Sequence, residues 1–143
     1  MSKFAAEMEK FAARFSGAVR DTVAQVAALG AERASNSTAF KGLSKGSGGL
    51  RDAIKWNIAG SAFEANVVAD KSYAGYVEFG NGTPGELLRP KNAKALRFQG
   101  AGGVVFRRAV RAHGPMPFMG PAADSITGGD VEFAFAEQMR QIL

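Results

Sequence analysis

The chain contains no cysteine and a single histidine, His113, among its 143 residues. The missing thiols exclude disulfides, thiolate metal ligands and cysteine nucleophiles, and they agree with folding in a reducing cytoplasm. One imidazole does not supply a histidine-based metal cluster. No apolar run reaches the roughly 18 residues that cross a bilayer. The first residues lack the apolar core of a secretion signal, so we expect synthesis in the cytoplasm and no membrane partner.

Glycine and phenylalanine are abundant instead, with 18 and 11 residues. Hydrophobic residues make up 46% of the chain and charged residues 22%, which excludes wholesale disorder. The length predicts one domain over residues 1–143. Within it we expect a helical assembly arm over 1–30, a flexible glycine-rich loop over 41–49 and an α+β body over 50–143.

Apolar residues recur every three or four positions through the first 26 residues, which predicts a long amphipathic helix that ends near Gly30. About 27 residues at 1.5 Å each give a helix of roughly 40 Å, longer than a domain of this size comfortably covers. The helix must therefore either pack along the whole domain or reach a neighbouring subunit. We predict a subunit interface formed by Phe4, Met8, Phe11, Phe15 and Val19.

Two stretches of alternating apolar and polar residues predict β-hairpins. The first covers residues 54–67 with its turn at Gly60-Ser61, and the second covers 95–106 with its turn at 99–103. Side chains of a strand alternate between its two faces, so each hairpin has one face available for packing.

Three further segments complete the predicted order of elements. Ser72 is predicted to cap a short helix that ends at Gly80, where a left-handed backbone favours glycine. Prolines predict an extended stretch over 115–121, and Asp130 is predicted to cap a C-terminal helix. The order of helix, hairpin, short helix, hairpin and helix predicts an α+β fold with an antiparallel sheet of two hairpins.

We expect no catalytic residue, no metal site and no cofactor. The glycine-rich stretch 46–49 lacks the lysine placement of a phosphate-binding loop. His113 lies in a predicted turn, which favours an exposed loop histidine over a general base. Glu78 lies among aromatic residues, where an ion pair is the commoner outcome. Tyr73 and Tyr76 are spaced for one helical face, which favours packing in the core or an interface over stacking on nucleic-acid bases.

Basic residues are concentrated in one central stretch. Residues 84–113 include seven basic residues and one acidic residue, a net charge of +6, and the remaining chain has a net charge of −1. A regular strand there would place Arg107 and Arg111 on one face, and Arg108 with Phe106 on the packed face. Two interpretations stay open: a surface that meets phosphates or an acidic protein, and a charged edge that prevents edge-to-edge pairing. The predicted basic surface consists of Arg89, Lys91, Lys94, Arg97, Arg107 and Arg111.

Three stretches, Gly48–Ile54, Tyr73–Gly82 and Pro117–Ala122, follow the amphipathic helix in this order. Together they resemble the neck and tail-completion proteins of long-tailed bacteriophages, over roughly residues 1–126. The chain departs from the common pattern at Ser47, where a threonine is usual, and at Met119, where leucine is common. The residues that match the family motifs are Leu50, Arg51, Tyr73, Tyr76, Glu78, Phe79, Gly80, Pro117, Phe118 and Pro121.

The resemblance implies a virion structural protein, made in the host cytoplasm, that forms a ring at the head–tail interface. Such a ring is commonly six-fold and joins the head connector to the tail tube. The implied partners are further copies of the chain, a head-closure (stopper) or adaptor protein, a tail-tube or terminator protein, and genomic DNA that passes through the lumen without being read. Two alternatives stay open: a terminator ring that caps tube polymerisation, and a non-specific DNA-binding protein.

Overall fold

The structure, a computed structural model, describes residues 2–41, 46, 48–60, 63–100 and 103–143, with residues 98–100 described by their backbone alone. The predicted flexible loop over 41–49 lies largely outside the described residues. The elements, in chain order, are α1 (Lys3–Ser35), two 3₁₀ turns (Thr38–Phe40 and Arg51–Ala53), β1 (Ile54–Ile58), β2 (Ala65–Ala69), α2 (Ala74–Phe79), β3 (Leu87–Leu88), β4 (Leu96–Gly100), β5 (Gly103–Arg107), β6 (Val110–Arg111), α3 (Met119–Ser125) and α4 (Gly128–Arg140). The predicted α+β fold class is confirmed.

The strands of both predicted hairpins pair, but they belong to separate sheets, and the predicted turns lie partly outside the described residues, at 61–62 and 101–102. In the described part of the chain β1 pairs with β2, β4 with β5, and β3 with β6, each as a two-stranded antiparallel sheet. The expectation of one sheet made of two hairpins was therefore wrong. The β3–β6 pair was missed because strands of two residues carry no readable alternation.

The chain divides into two compact units. One, which we call the α1 unit, comprises Met1–Lys71 and Phe118–Leu143, and the other, the central unit, comprises Ser72–Pro117. The α1 unit holds α1, the β1–β2 hairpin, α3 and α4, whereas the central unit holds α2 and the other two sheets. The single domain over residues 1–143 stays a prediction.

Helix α1 continues five residues beyond Gly30, its predicted end. Gly30 is buried, and a Cβ at this position would be in ordinary van der Waals contact with Cγ2 of Val67 at 3.5 Å, so β2 packs directly on this part of the helix. The buried positions of α1 are almost all small residues, which lets the hairpin and the other helices approach the backbone closely: Ala18, Thr22, Ala27, Gly30, Ala31 and Ala34. Arg51 meets the end of the helix, where its Nε donates to the carbonyl oxygen of Ser35 at 2.8 Å.

Helix α3 lies partly within the stretch that was predicted to be extended. It begins at Met119, so Pro121 occupies the first turn, where the missing N–H of proline removes no helical hydrogen bond. Phe118, just before the helix, is only 1% exposed, and its ring centroid lies 5.0 Å from that of Phe40. The proline signal was therefore real, but it marked the start of a helix.

Helix α4 is held at its start by a capping box and by α1. Thr127, rather than the predicted Asp130, is the N-cap, and its hydroxyl accepts from the Asp130 backbone N–H. The Asp130 carboxylate accepts from the Thr127 N–H at 2.9 Å and from both Nη atoms of Arg33 in α1, at 3.0 and 3.1 Å. The Arg33 hydrogen bonds, followed by that of Thr127, hold the pKa of Asp130 below its ordinary value of 3.8.

Helix α2 is short and ends at Gly80, as predicted, whereas the predicted cap Ser72 is wrong because Tyr73 occupies that position without a side-chain hydrogen bond. Gly80 has φ +80°, which is the positive value expected from the sequence. A Cβ there would also lie 2.9 Å from the carbonyl oxygen of His113. Asn81 holds this segment against His113: its backbone N–H donates to the His113 carbonyl oxygen, and its side-chain oxygen accepts from the His113 backbone N–H at 2.8 Å.

Substituting Gly80 should destabilise the central unit. Gly80→Val places a branched side chain at positive φ and against a backbone carbonyl, so we expect a loss of roughly 1–3 kcal/mol or more. Gly75→Ala is the matched control, because a Cβ at this position of α2 meets nothing within 4 Å and the change should stabilise by about 0.5–1 kcal/mol. Thermal denaturation measures both, and an unchanged melting temperature for Gly80→Val contradicts the assignment.

The Arg33–Asp130 pair should make stability depend on pH. Because the pKa of Asp130 is lower in the folded chain than in the unfolded one, its carboxylate stabilises the fold above about pH 4. That contribution is lost as the pH falls through the unfolded and then the folded pKa. In denaturant titrations, Asp130→Asn should therefore be less stable than wild type at pH 7, with a smaller gap at pH 3. The exposed Glu132→Gln serves as control, and an equal gap for Asp130→Asn at both pH values refutes the expectation.

Candidate assembly interface

The N-terminal half of α1 exposes large apolar side chains. Ser2 starts the helix by accepting from the Ala5 N–H at 3.2 Å. The side chains spaced at i, i+4, i+7 and i+11 then form one stripe, which we call the N-terminal stripe, and all of them are substantially exposed: Phe4 74%, Met8 50%, Phe11 42% and Phe15 41%. Val19, the fifth predicted interface residue, is half-buried. The stripe is thus an uncovered apolar surface, while its role as an interface stays a prediction.

The stripe meets the rest of the α1 unit at Phe15. The rings of Phe11 and Phe15 are stacked with centroids 6.3 Å apart, and the ring of Phe15 meets that of Phe135 edge-on at 6.1 Å. Farther along α1, Gln25 Nε2 donates to the carboxylate of Glu137 at 2.7 Å. These contacts hold α1 against α4 from Phe15 onward, whereas Phe4 remains the most exposed member of the stripe.

An open apolar cleft of about 410 Å³, which we call the α1 cleft, lies between α1, the start of β2, α3 and the start of α4. Val26, Val67, Ala123 and Val131 represent the four elements that line it. Its lining residues with polar side chains are Thr22 and Glu64. The Thr22 hydroxyl donates to the Ala18 carbonyl at 2.8 Å, so it is already satisfied within its helix. The cleft therefore presents an apolar floor with one carboxylate, Glu64.

The net charge of the protein resides in the central unit. That unit contains seven bases and two acids, a net charge of +5, whereas the α1 unit contains eleven of each. All six residues of the predicted basic surface are exposed: Arg89, Lys91, Lys94, Arg97, Arg107 and Arg111. The charge concentration inferred from the sequence thus coincides with one compact unit of the structure.

The predicted arrangement of the arginines is wrong. Arg107 ends β5 and lies opposite Leu96, whereas Arg111 belongs to β6 and lies opposite Leu87 in another sheet. Phe106, expected on the packed face, is 60% exposed and lies opposite Arg97. The assumption of one regular strand from 104 to 111 caused the error, because the chain leaves the strand at residue 108.

Some of the family-motif residues build the fold. Leu50 and Phe118 are buried, and Arg51 binds the end of α1. The neighbouring Asp52 accepts from the N–H groups of Gly46 and Gly48, each at 2.9 Å, which holds a turn that contains two glycines at positive φ. The first motif stretch is thus a structural junction between α1 and β1.

Other motif residues lie on the surface. Tyr73, Tyr76 and Phe79 on and beside α2 are exposed, so they do not pack in a core within the chain, and the interface and base-stacking interpretations both remain. Pro117 and Pro121 are also exposed, while Glu78 is half-buried. Sequence spacing placed the three aromatic residues together but did not indicate that they face outward.

His113, which the sequence analysis considered as a general base, lies on the segment between β6 and α3. His113 is half-buried, with Nδ1 2.9 Å from the carbonyl oxygen of Gly114. Across residues 2–143, apart from the gaps given above, no group of three or more histidine, aspartate or glutamate side chains is placed to hold a metal ion. Nor does any described helix have both the length and the apolar character to cross a membrane.

A comparison with protein-family models matches residues 2–80 to the family described as "Bacteriophage HK97-gp10, putative tail-component". The match covers more than half of the chain. The chain belongs to the HK97-gp10-like family. The predicted relationship to phage tail proteins is thereby confirmed, and the first two motif stretches lie almost entirely within the matched residues. Comparisons with curated proteins and with solved structures give no match.

The basic surface of this tail component should act as a non-specific electrostatic surface. The double reversal Arg107→Glu and Arg111→Glu changes the charge of the central unit by −4, and both side chains are exposed, so we expect normal folding. It should elute from heparin at clearly lower salt than wild type, because fewer positive charges contact the polyanion. Lys41→Glu with Lys71→Glu gives the same charge change on the α1 unit. If both double variants elute at equally lowered salt concentrations, the basic surface has no specific role and is a charged edge exposed to solvent.

Proposed function

We propose that the chain forms a homo-oligomeric ring at the head–tail interface, where it joins the head connector to the tail tube. The N-terminal stripe is the observation that carries this proposal. An isolated subunit would leave Phe4, Met8, Phe11 and Phe15 largely in water, although they lie on one helix face. Contiguous exposed apolar surface of this kind marks a protein-binding site. Because the chain belongs to a family of tail components, we expect it to work within a larger assembly, and that assembly would cover the stripe.

The partners follow from the same reasoning. Further copies of the chain, six in the commonest arrangement of such rings, cover the stripe. A stopper or adaptor protein and a tube or terminator protein meet the two sides of the ring. The +5 central unit favours a polyanionic neighbour, either the acidic rim of an adjoining ring or the DNA in the lumen. The role is structural, without a catalytic step.

A non-specific DNA-binding role is the second candidate, and the charge of the central unit favours it. Phosphate contacts alone supply non-specific binding, with affinity that falls steeply as salt rises. Binding of duplex DNA by the dispersed monomer at physiological salt would support this candidate. Binding confined to the assembled protein would support the ring.

The location is tested by removing the protein from the phage and complementing it in trans. Lysates that lack it should contain filled heads and separate tails with few joined particles, and complementation should restore joining. Labelled antibody on complemented particles should decorate the head–tail junction in electron micrographs. Label along the tube or at the distal tip would overturn the proposed location, as would normally joined particles without the protein.

Removing residues 1–14 should abolish assembly but preserve the fold. The truncation takes away Phe4, Met8 and Phe11, while the buried residues of α1 begin at Ala18. Circular dichroism should therefore show a folded protein with a melting temperature near that of wild type, and light scattering should show loss of the oligomer. A truncated protein that still assembles would refute the stripe as an assembly element.

A further inference from the structure

The N-terminal stripe and the α1 cleft have matching chemistry. The stripe presents apolar side chains at i, i+4, i+7 and i+11, the spacing with which a helix enters a groove. The cleft is apolar and lined by three helices and a strand, with Glu64 as its charged lining residue. Beside the stripe, residues 3–15 carry three bases and two acids, and one of the acids, Glu7, is bonded to Lys10 at 3.3 Å. The carboxylate in the cleft and this net excess of one base are complementary in charge.

The area of the stripe argues against pairing with the same stripe on a second copy. The exposed fractions of its four side chains correspond to about two full aromatic side chains, or roughly 400 Å². A stable interface buries about 800 Å² per partner. Symmetric stripe-to-stripe pairing thus provides about half of the required area. A helix inserted in a cleft is contacted on its flanks as well as on its stripe, so each stripe-to-cleft contact buries more area than a stripe-to-stripe contact.

We propose that residues 3–15 of one copy dock in the α1 cleft of the next copy, with the N-terminal stripe facing Val26, Val67 and Ala123. The ring requires this contact to be head-to-tail, since each copy then inserts its helix in the next copy, and such contacts close into rings or extend as filaments, whereas two copies that insert into each other form a closed dimer. This inference rests on the proposed ring and identifies its subunit contact. Each subunit donates one helix and accepts one.

The absence of cysteine permits an unambiguous cross-linking test on the full-length chain. Met8→Cys, Phe11→Cys and Phe15→Cys are each mixed with Ala123→Cys, whose site is exposed and lines the cleft. A disulfide forms only where the two Cα atoms come within about 7 Å. We expect oxidation to give a disulfide-linked dimer of one stripe variant with Ala123→Cys. Ala13→Cys, exposed on another face of α1, should give none.

Other cross-linking outcomes overturn the proposal. Dimers of a stripe variant with itself show symmetric pairing, and the absence of every stripe-to-123 dimer at concentrations where wild type is oligomeric excludes docking in the cleft. A wild-type chain that stays monomeric at all concentrations also contradicts it.

A second variant tests the cleft without changing the helix. Ala123→Trp fills the cleft from an exposed position and should abolish the oligomer, whereas Asp124→Trp on the same helix, outside the cleft lining, should preserve it. An oligomer that persists in folded Ala123→Trp refutes docking in the cleft. The outcomes also separate the two proposals. If particles join normally without the protein, its proposed location is refuted, but an observed cross-link still supports the docking. If joining is defective and no cross-link forms, only the docking is refuted.

Discussion

The small residues on the second half of α1 are the constraint on which the α1 unit depends. Ala27, Gly30, Ala31 and Ala34 are buried, and a Cβ at Gly30 would be in ordinary van der Waals contact with Val67 of β2, at 3.5 Å. Close packing of this kind needs short side chains on at least one of the two surfaces. Because α1 supplies them, the β1–β2 hairpin, α3 and α4 all pack on one helix, and the α1 cleft is the space that they leave between them.

The large exposed and the small buried apolar residues lie in different parts of α1. Large apolar side chains from Phe4 to Phe15 are exposed, whereas small ones from Ala18 to Ala34 are buried, so the core of the unit is poor in large side chains from α1. Burial of each aromatic side chain contributes more than burial of an alanine, by roughly 25 cal/mol per Å² of apolar surface. The larger hydrophobic gain available to α1 is therefore not used within the chain, and the proposed subunit contact would use it for assembly instead of further stability of the subunit.

Much of this fold was predictable from sequence because it depends on local periodicity. The stripe, both hairpins, the end of α2 at Gly80 and the charge excess follow from spacing and composition. The end of α1 was misplaced at Gly30, because a buried glycine that permits packing and a glycine that ends a helix are identical in sequence. Pro121 was wrongly predicted to lie in an extended stretch for a similar reason. A proline in a first helical turn and a proline in an extended loop differ only in the residues that come after them. The separate sheets, the break after Arg107 and the α1 cleft depend on tertiary contacts, which no single stretch encodes.

The excess charge belongs to the central unit and the apolar stripe and cleft belong to the α1 unit. This division suits the different requirements of apolar docking and electrostatic attraction. Apolar docking needs a dry, closely packed contact, and an uncompensated charge within it would carry a desolvation cost of several kcal/mol. The α1 unit, with the stripe and the cleft, has equal numbers of bases and acids, and the central unit holds the whole excess of +5. A long-range field acts across solvent within a Debye length of about 8 Å and needs no close contact. In the proposed ring, a subunit built this way would bind its own copies through the α1 unit by shape and burial, and the central unit would remain available to attract a polyanion without weakening that contact.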